Sequence, residues 1–327
     1  MTRVLVVGAG VIGQIYAGRL MQAGHDVTIL ARGTTADVLA EHGISLRTDG
    51  RSCRVRPRVS RDVGGEAAWE MILVAVRRDQ VAGVLPLVAK LPARRVVFML
   101  NQSLGLDRVC EQAGAERAVL AFPGVGGHRA QDGTIDYLAV PQQHTTVGGH
   151  GGVEGAVADA LRSAGFAVDV VDDMPGWLKT HAVFITAVGA AILACGGDSI
   201  ALAADRRRVG VMVAAVREGF RALAGNGVTV TPTALRMIFT VVPRVFAVRY
   251  WRGQLRGPVG TVMIAPHMRA TRDTELPLLC ADVRTLTAGD QPTPQLNGLL
   301  DLACPPAVAD MREAALPATP PAAIPSR

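Results

Sequence analysis

Residues 8–13 read Gly-Ala-Gly-Val-Ile-Gly, fed by the apolar run Val4-Leu5-Val6-Val7 and followed by a stretch with helical apolar spacing. A strand that passes through a G-x-G-x-x-G turn into a helix constrains the fold more than any other feature of the chain. At such a turn Gly8 permits the tight bend, Gly10 has no Cβ to hold a pyrophosphate off the backbone, and Gly13 lets the helix lie close on the strand. The first amides of the helix, Val11 and Ile12 among them, then face the phosphates. With 36 glycines in the chain the hexapeptide alone says little, so its place between strand and helix carries the reading.

The helix is expected to close at Ala23-Gly24, and 25–31 alternates as a second strand that ends at Arg32. NAD-selective turns place a carboxylate about 20 residues past the glycines to hold the ribose 2′-hydroxyl, whereas a guanidinium there grips a 2′-phosphate. Arg32 stands 19 residues past Gly13, and Gly33, Thr34 and Thr35 read as a flexible turn with two hydroxyls for the same phosphate. This favours NADPH, with a plain surface arginine as the alternative.

The chain has 327 residues, 49% of them apolar, enough for two domains with cores of their own. A net charge of +6 comes with dispersed arginines and only 4% aromatics, and Arg206-Arg207-Arg208 is the sole tight basic run. That pattern argues against nucleic acid and for a field that draws in anionic small molecules. Five cysteines without a C-x-x-C pair read as reduced thiols of a cytoplasmic protein, and no metal site is expected. No leader is expected, because the N-terminal apolar run is already the first strand. The uncharged stretch 182–197 is too short for a bilayer span and reads as a core helix, so no membrane is expected.

Beyond the first βαβ unit, 44–48 and 53–59 read as a hairpin through Asp49-Gly50, with buried strands at 71–76 and 95–100 and helices at 80–90 and 105–113. Strands follow at 118–122, 135–140 and 145–148, with Gly124, Gly126, Gly127 and Gly133 read as turns, then a helix at 153–165 and a strand at 167–171. After Asp172-Asp173-Met174-Pro175-Gly176 the strands stop, and 177–195, 199–225, 233–248 and 266–287 carry helical spacing. The expected fold is α/β: a Rossmann-like doubly wound sheet over 1–173, an all-helical domain over 174–304, and a Pro/Ala-rich disordered tail over 305–327. Ligand would bind in the crevice at the carboxyl ends of the parallel strands, facing the helical domain.

Only two lysines, Lys90 and Lys179, stand against 32 arginines. Lysine is retained where arginine does not serve, and proton donation is one such place. Lys179 opens the helical domain beside the crevice; the alternative is a solvated residue near a helix start, which Lys90 fits better. His267, Thr271 and Glu275 recur every four residues, either as a polar face toward the crevice or as the wet side of a helix.

Together these residues resemble the ketopantoate reductase family, from Val4 to about Leu302. The resemblance rests on the GAGVIG turn with Arg32, on Val74-Ala75-Val76-Arg77-Arg78-Asp79-Gln80-Val81, and on Asn101-Gln102-Ser103-Leu104-Gly105. It continues in Trp177-Leu178-Lys179, Thr274-Glu275-Leu276 and Gln291-Pro292-Thr293-Pro294. It implies that Arg77 replaces a cofactor-side lysine and that Gln102, or Asn101 in its stead, takes the role of an asparagine that places nicotinamide and substrate. It further implies that Lys179 is the general acid and that Glu275 holds a substrate hydroxyl.

The chain departs from the family where two asparagines become Val183 and Ala187 and a serine becomes Met263. Substrate-facing polarity is lost at Val183 and Met263, so the substrate is expected to differ from ketopantoate; His181 and His267 read either as replacement polarity or as structural histidines. The implied function is an NADPH-dependent reductase that transfers hydride to a 2-oxo acid or related small ketone, with a homodimer admitted. True 2-dehydropantoate 2-reductase activity in pantothenate biosynthesis and a non-catalytic NADPH-binding redox sensor remain as alternatives.

Overall fold

The computed structural model describes residues 1–63, 68–140, 143–149 and 153–304. The expected disordered tail over 305–327 lies outside the described residues. The chain opens with β1 (Arg3–Val7), α1 (Val11–Gln22), β2 (Asp26–Leu30) and α2 (Gly33–His42), followed by β3 (Ile44–Thr48), β4 (Arg51–Val55), β5 (Arg58–Ser60) and β6 (Trp69–Val74). Then come α3 (Val81–Lys90), β7 (Ala93–Met99), α4 (Leu106–Ala113), β8 (Ala118–Phe122), β9 (Val125–Arg129), β10 (Ile135–Ala139), β11 (Thr145–Gly149), α5 (Glu154–Ser163) and β12 (Val168–Val170).

The main sheet has the order β12-β11-β8-β7-β6-β1-β2-β5. Strands β8 to β5 in that order are parallel, while β11 runs antiparallel to β8. From β1 the chain goes one way to β2 and the other way to β6, so the order switches between them, and it is at the carboxyl ends of such a pair that this class of sheet binds ligand. A second sheet, β4-β3-β10-β9, covers the far side of α1. A helix packed on both faces has to be apolar on both, and α1 buries Gly13, Gln14, Ile15, Tyr16, Ala17, Gly18 and Leu20.

Several expected boundaries change. The single strand expected over 53–59 is two, because Arg56-Pro57 breaks the run: β4 stays in the small sheet and β5 crosses to the edge of the main one. Gly126 and Gly127, expected in turns, lie in β9. A Cβ at Gly126 would stand 2.0 Å from Met263 Cγ, and one at Gly127 2.2 Å from the Asp136 carbonyl, so close packing demands both glycines. Gly33, Thr34 and Thr35 form the first turn of α2 rather than a flexible loop.

From Met174 onward every described element is helical: α6 (Met174–Leu193), α7 (Ser199–Ala204), α8 (Arg206–Gly225), α9 (Thr233–Thr240), α10 (Arg244–Arg256), a π-helical turn (Val259–Ile264), α11 (Ala265–Thr271), α12 (Glu275–Leu286) and α13 (Pro294–Ala303). Asp173 caps α6 by accepting from the Gly176 amide at 2.8 Å, and Pro175 suits its first turn. The expected helix at 199–225 breaks at Asp205, which caps α8, and that at 233–248 breaks before Pro243 and resumes to Arg256. The helix expected over 266–287 is interrupted by a turn at 272–274. By length and composition α6 passes for a bilayer span, but it is largely buried among the other helices, with Ala187, Ala190 and Ile192 at 0% exposure.

Candidate functional site

The three glycines after β1 divide their tasks as the turn requires. Gly8 has φ +112°, and a Cβ there would lie 2.4 Å from the Ala75 carbonyl oxygen. A Cβ at Gly13 would stand only 1.8 Å from the Gly8 oxygen, so α1 rests directly on the end of β1. At Gly10 the same construction meets nothing within 4 Å. The open space therefore lies where a phosphate would approach, in front of the first amides of α1, at Val11 and Ile12, which no side chain caps, in a first turn without an acidic residue.

Arg32 lies two residues past the end of β2 as the N-cap residue of α2, is exposed, and makes no ion pair among the described residues. It precedes the first turn of α2, whose amides at Gly33, Thr34 and Thr35 form a second helix start without a side-chain cap. Arg77 is exposed and holds Asp79 by two contacts of 3.1 Å, which keep its guanidinium above the usual arginine range. Asn101 is half-buried with no side-chain hydrogen bond among the described residues. Gln102 is buried; its Nε2 donates to the Leu104 carbonyl at 2.8 Å while its Oε1 has no partner.

Lys179 sits in the second turn of α6, half-buried, with no hydrogen bond or ion pair among the described residues. Around the helix from it, Trp177 stacks on His181 with ring centroids 5.2 Å apart and planes 2° from parallel, and Phe122 at the end of β8 lies 4.0 Å from the imidazole. Burial in this stack, aided by the field of His267, pushes His181 down to about 3, so the ring is neutral at ordinary pH.

Glu275, the first residue of α12, is 2% exposed. Its Oε1 accepts from the backbone N–H of Arg78 at 2.8 Å, and its Oε2 lies 3.4 Å from His267 Nε2. Burial raises the carboxyl above its usual range, while His267 and the Arg78 amide pull it back. His267 and Glu275 thus meet, but across the turn at 272–274 rather than along one helix face. Thr271 is buried, its hydroxyl donating to the His267 carbonyl. No ion pair joins Lys179 to Glu275, whose carboxylate meets the Arg78 amide and His267 and keeps lone pairs for a further donor.

The structure does not bring Val183 to the crevice: it is 0% exposed and faces Gly219 of α8 and Leu296 of α13 in the helical core. Met263 packs on the bare backbone of β9 at Gly126. Sequence reasoning missed Asp282, which lies 3.7 Å from Arg78 Nε and accepts from Ser103 Oγ at 3.4 Å. The signal available was only its place two turns after Glu275 on the same helix face.

A family model described as ketopantoate reductase PanE/ApbA matches residues 4–173. Among curated relatives, a 2-dehydropantoate 2-reductase of Listeria monocytogenes is 24% identical over 136 residues, 41% of this chain and 46% of that enzyme. One of Pyrococcus horikoshii is 21% identical over 238 residues, 69% of this chain and 75% of that enzyme. The chain spans less than half the length of the Listeria relatives it matches, 46% and 44%. Among solved structures, a 2-dehydropantoate 2-reductase from Geobacter metallireducens superposes with a TM-score of 0.72 at 14% identity, covering 92% of this chain and 98% of that one. A D-mandelate dehydrogenase with NADH and anilino(oxo)acetate gives 0.69 at 13% identity, covering 92% and 97%. These likenesses establish the fold.

Proposed function

This chain belongs to the ketopantoate reductase PanE/ApbA family, and from that premise we propose that it is an NADPH-dependent reductase of a 2-oxo acid or related small ketone. The observation that carries the proposal is the division of labour among Gly8, Gly10 and Gly13, which leaves open space only at the glycine that meets pyrophosphate. Arg32 and the start of α2 would hold the 2′-phosphate. Arg77, Asn101 and Gln102 would flank the nicotinamide end, and of the last two the half-buried Asn101 is the more open.

When bound, the reduced nicotinamide supplies the hydride that the carbonyl carbon accepts. Lys179 would donate a hydrogen bond to the carbonyl oxygen and release its proton there as alkoxide charge develops. Glu275, with His267 beside it, would accept from a substrate hydroxyl or amine. Val183 and Ala187, at the family's asparagine positions, face the helical core, and Met263 stands at its serine position, so none of the three offers the substrate a polar group and less substrate polarity can be matched than in a pocket for ketopantoate. The oxoacetate bound in the D-mandelate dehydrogenase of like fold supports this substrate class.

The test is NADPH oxidation, followed at 340 nm, against ketopantoate, aliphatic 2-oxo acids and phenylglyoxylate. An apolar or aryl 2-oxo acid should turn over fastest, and Lys179→Ala should lower its kcat by about 10²- to 10⁴-fold with NADPH affinity unchanged. Preference for ketopantoate would overturn the altered pocket. Stoichiometric NADPH binding with no turnover across the panel would favour a non-catalytic binding protein instead.

A further inference from the structure

Asp282 is a buried acid for which the proposed chemistry has no use. It is 7% exposed and lies seven residues after Glu275, on the same face of α12. A carboxylate in such a place needs partners to offset its desolvation. Burial pushes it above the usual carboxylate range, and the Arg78 guanidinium and Ser103 draw it back.

Its two partners come from two different loops of the sheet domain. Arg78 starts the 3₁₀ turn that follows β6, and Ser103 lies in the loop that follows β7. Both loops stand at the carboxyl ends of parallel strands, the ligand-binding end of such a sheet. Arg78 meets α12 twice: its N–H donates to Glu275 at 2.8 Å, and its guanidinium faces Asp282 as an ion pair at 3.7 Å, too long for a hydrogen bond from Nε. One face of α12 is therefore pinned to both loops, with the Glu275 carboxylate at one of the pins.

We propose that Arg78, Ser103 and Asp282 form an interdomain clamp that sets where the Glu275 carboxylate stands, with Asp282 as a positioning residue that touches no substrate. The importance of that location rests on the function proposed above; the clamp itself is a statement about where α12 is held. With Asp282 neutral, the Arg78 side chain loses its anchor, the 3₁₀ turn loosens, and the bond from the Arg78 amide to Glu275 opens more often.

Asp282→Asn keeps the size and the Ser103 contact and removes the charge. In the NADPH-bound protein, amide hydrogen exchange across 77–80 should speed up about tenfold or more, while exchange in α8 stays as in the parent. KM for the carbonyl substrate should rise about tenfold with kcat within about twofold, and Asp282→Glu, which retains the charge, should restore both readouts. Unchanged exchange across 77–80 overturns the clamp, whether or not any carbonyl compound is reduced. A parent protein that reduces nothing on the panel overturns the functional reading and leaves the exchange measurement to decide the clamp. Should Asp282→Asn fail to fold, Arg78→Gln, which keeps the N–H and removes the guanidinium, is read in the same way.

Discussion

Gly10 and Gly13 stand three residues apart in one turn, yet the same added methyl should do opposite things at the two positions. At Gly13 the new carbon would lie 1.8 Å from the Gly8 carbonyl oxygen, about 1.6 Å short of ordinary van der Waals contact. Both partners are backbone, so neither can rotate away, and α1 would have to lift off β1. Overpacking of this kind costs roughly 3 kcal/mol, the upper part of the usual range, which for a domain of this size lowers Tm by about 6–12 °C. At Gly10, φ is −74° and a Cβ meets nothing within 4 Å, so alanine is accommodated and stability should change by less than about 0.5 kcal/mol. That methyl would occupy the approach of the pyrophosphate, and NADPH affinity should fall about tenfold or more. Thermal unfolding of the unliganded variants and NADPH titration by fluorescence separate the two effects. Gly10→Ala binding NADPH like the parent would refute the assignment of the cradle, and Gly13→Ala melting with the parent would refute the packing argument.

Two further substitutions test the electrostatics. Arg32→Glu should weaken NADPH by about 10- to 100-fold and leave NADH within about twofold, because only the former carries the 2′-phosphate; equal losses in the two titrations would remove that contact. His181 is held neutral down to about pH 3 against an ordinary value of 6.5, so its contribution to stability is complete above 6.5 and drains away as the pH falls toward 3. His181→Phe keeps an aromatic ring between Trp177 and Phe122 and should flatten the acid limb by up to about 1.4 kcal/mol per pH unit below pH 6. Urea midpoints at several pH values decide this, and parallel slopes for the two proteins would sink it.

What could be read from the residues alone was local chemistry. The glycine turn, the apolar parallel strands and the change to helix near Asp173 each write their reason into a few neighbouring positions. Some misreadings had local signals: Pro57 cannot serve inside a strand, Pro243 ends a helix, and Asp205 is a strong N-cap. Others had none. Gly126 looks like a turn glycine until Met263, far along the chain, is seen to occupy the space of its missing side chain. Val183 aligned with a polar position of the family, but its direction depends on how α6 is rolled against α8 and α13. The grip of Glu275 on the Arg78 amide joins residues 197 positions apart, and a backbone donor leaves no mark on residue type.

The seat of Met263 on Gly126 has a practical meaning for anyone wishing to change what enters the crevice. There the Met263 side chain rests directly on naked strand backbone, so position 126 works as a shim. Alanine, serine and valine inserted there in turn would first turn the flexible Met263 side chain aside and only then press the π-helical turn away from β9. The glycine cradle and the α12 contacts, carried by other elements, would keep their places. Room for a bulkier substrate can thus be dialled in at a residue that need not meet the substrate.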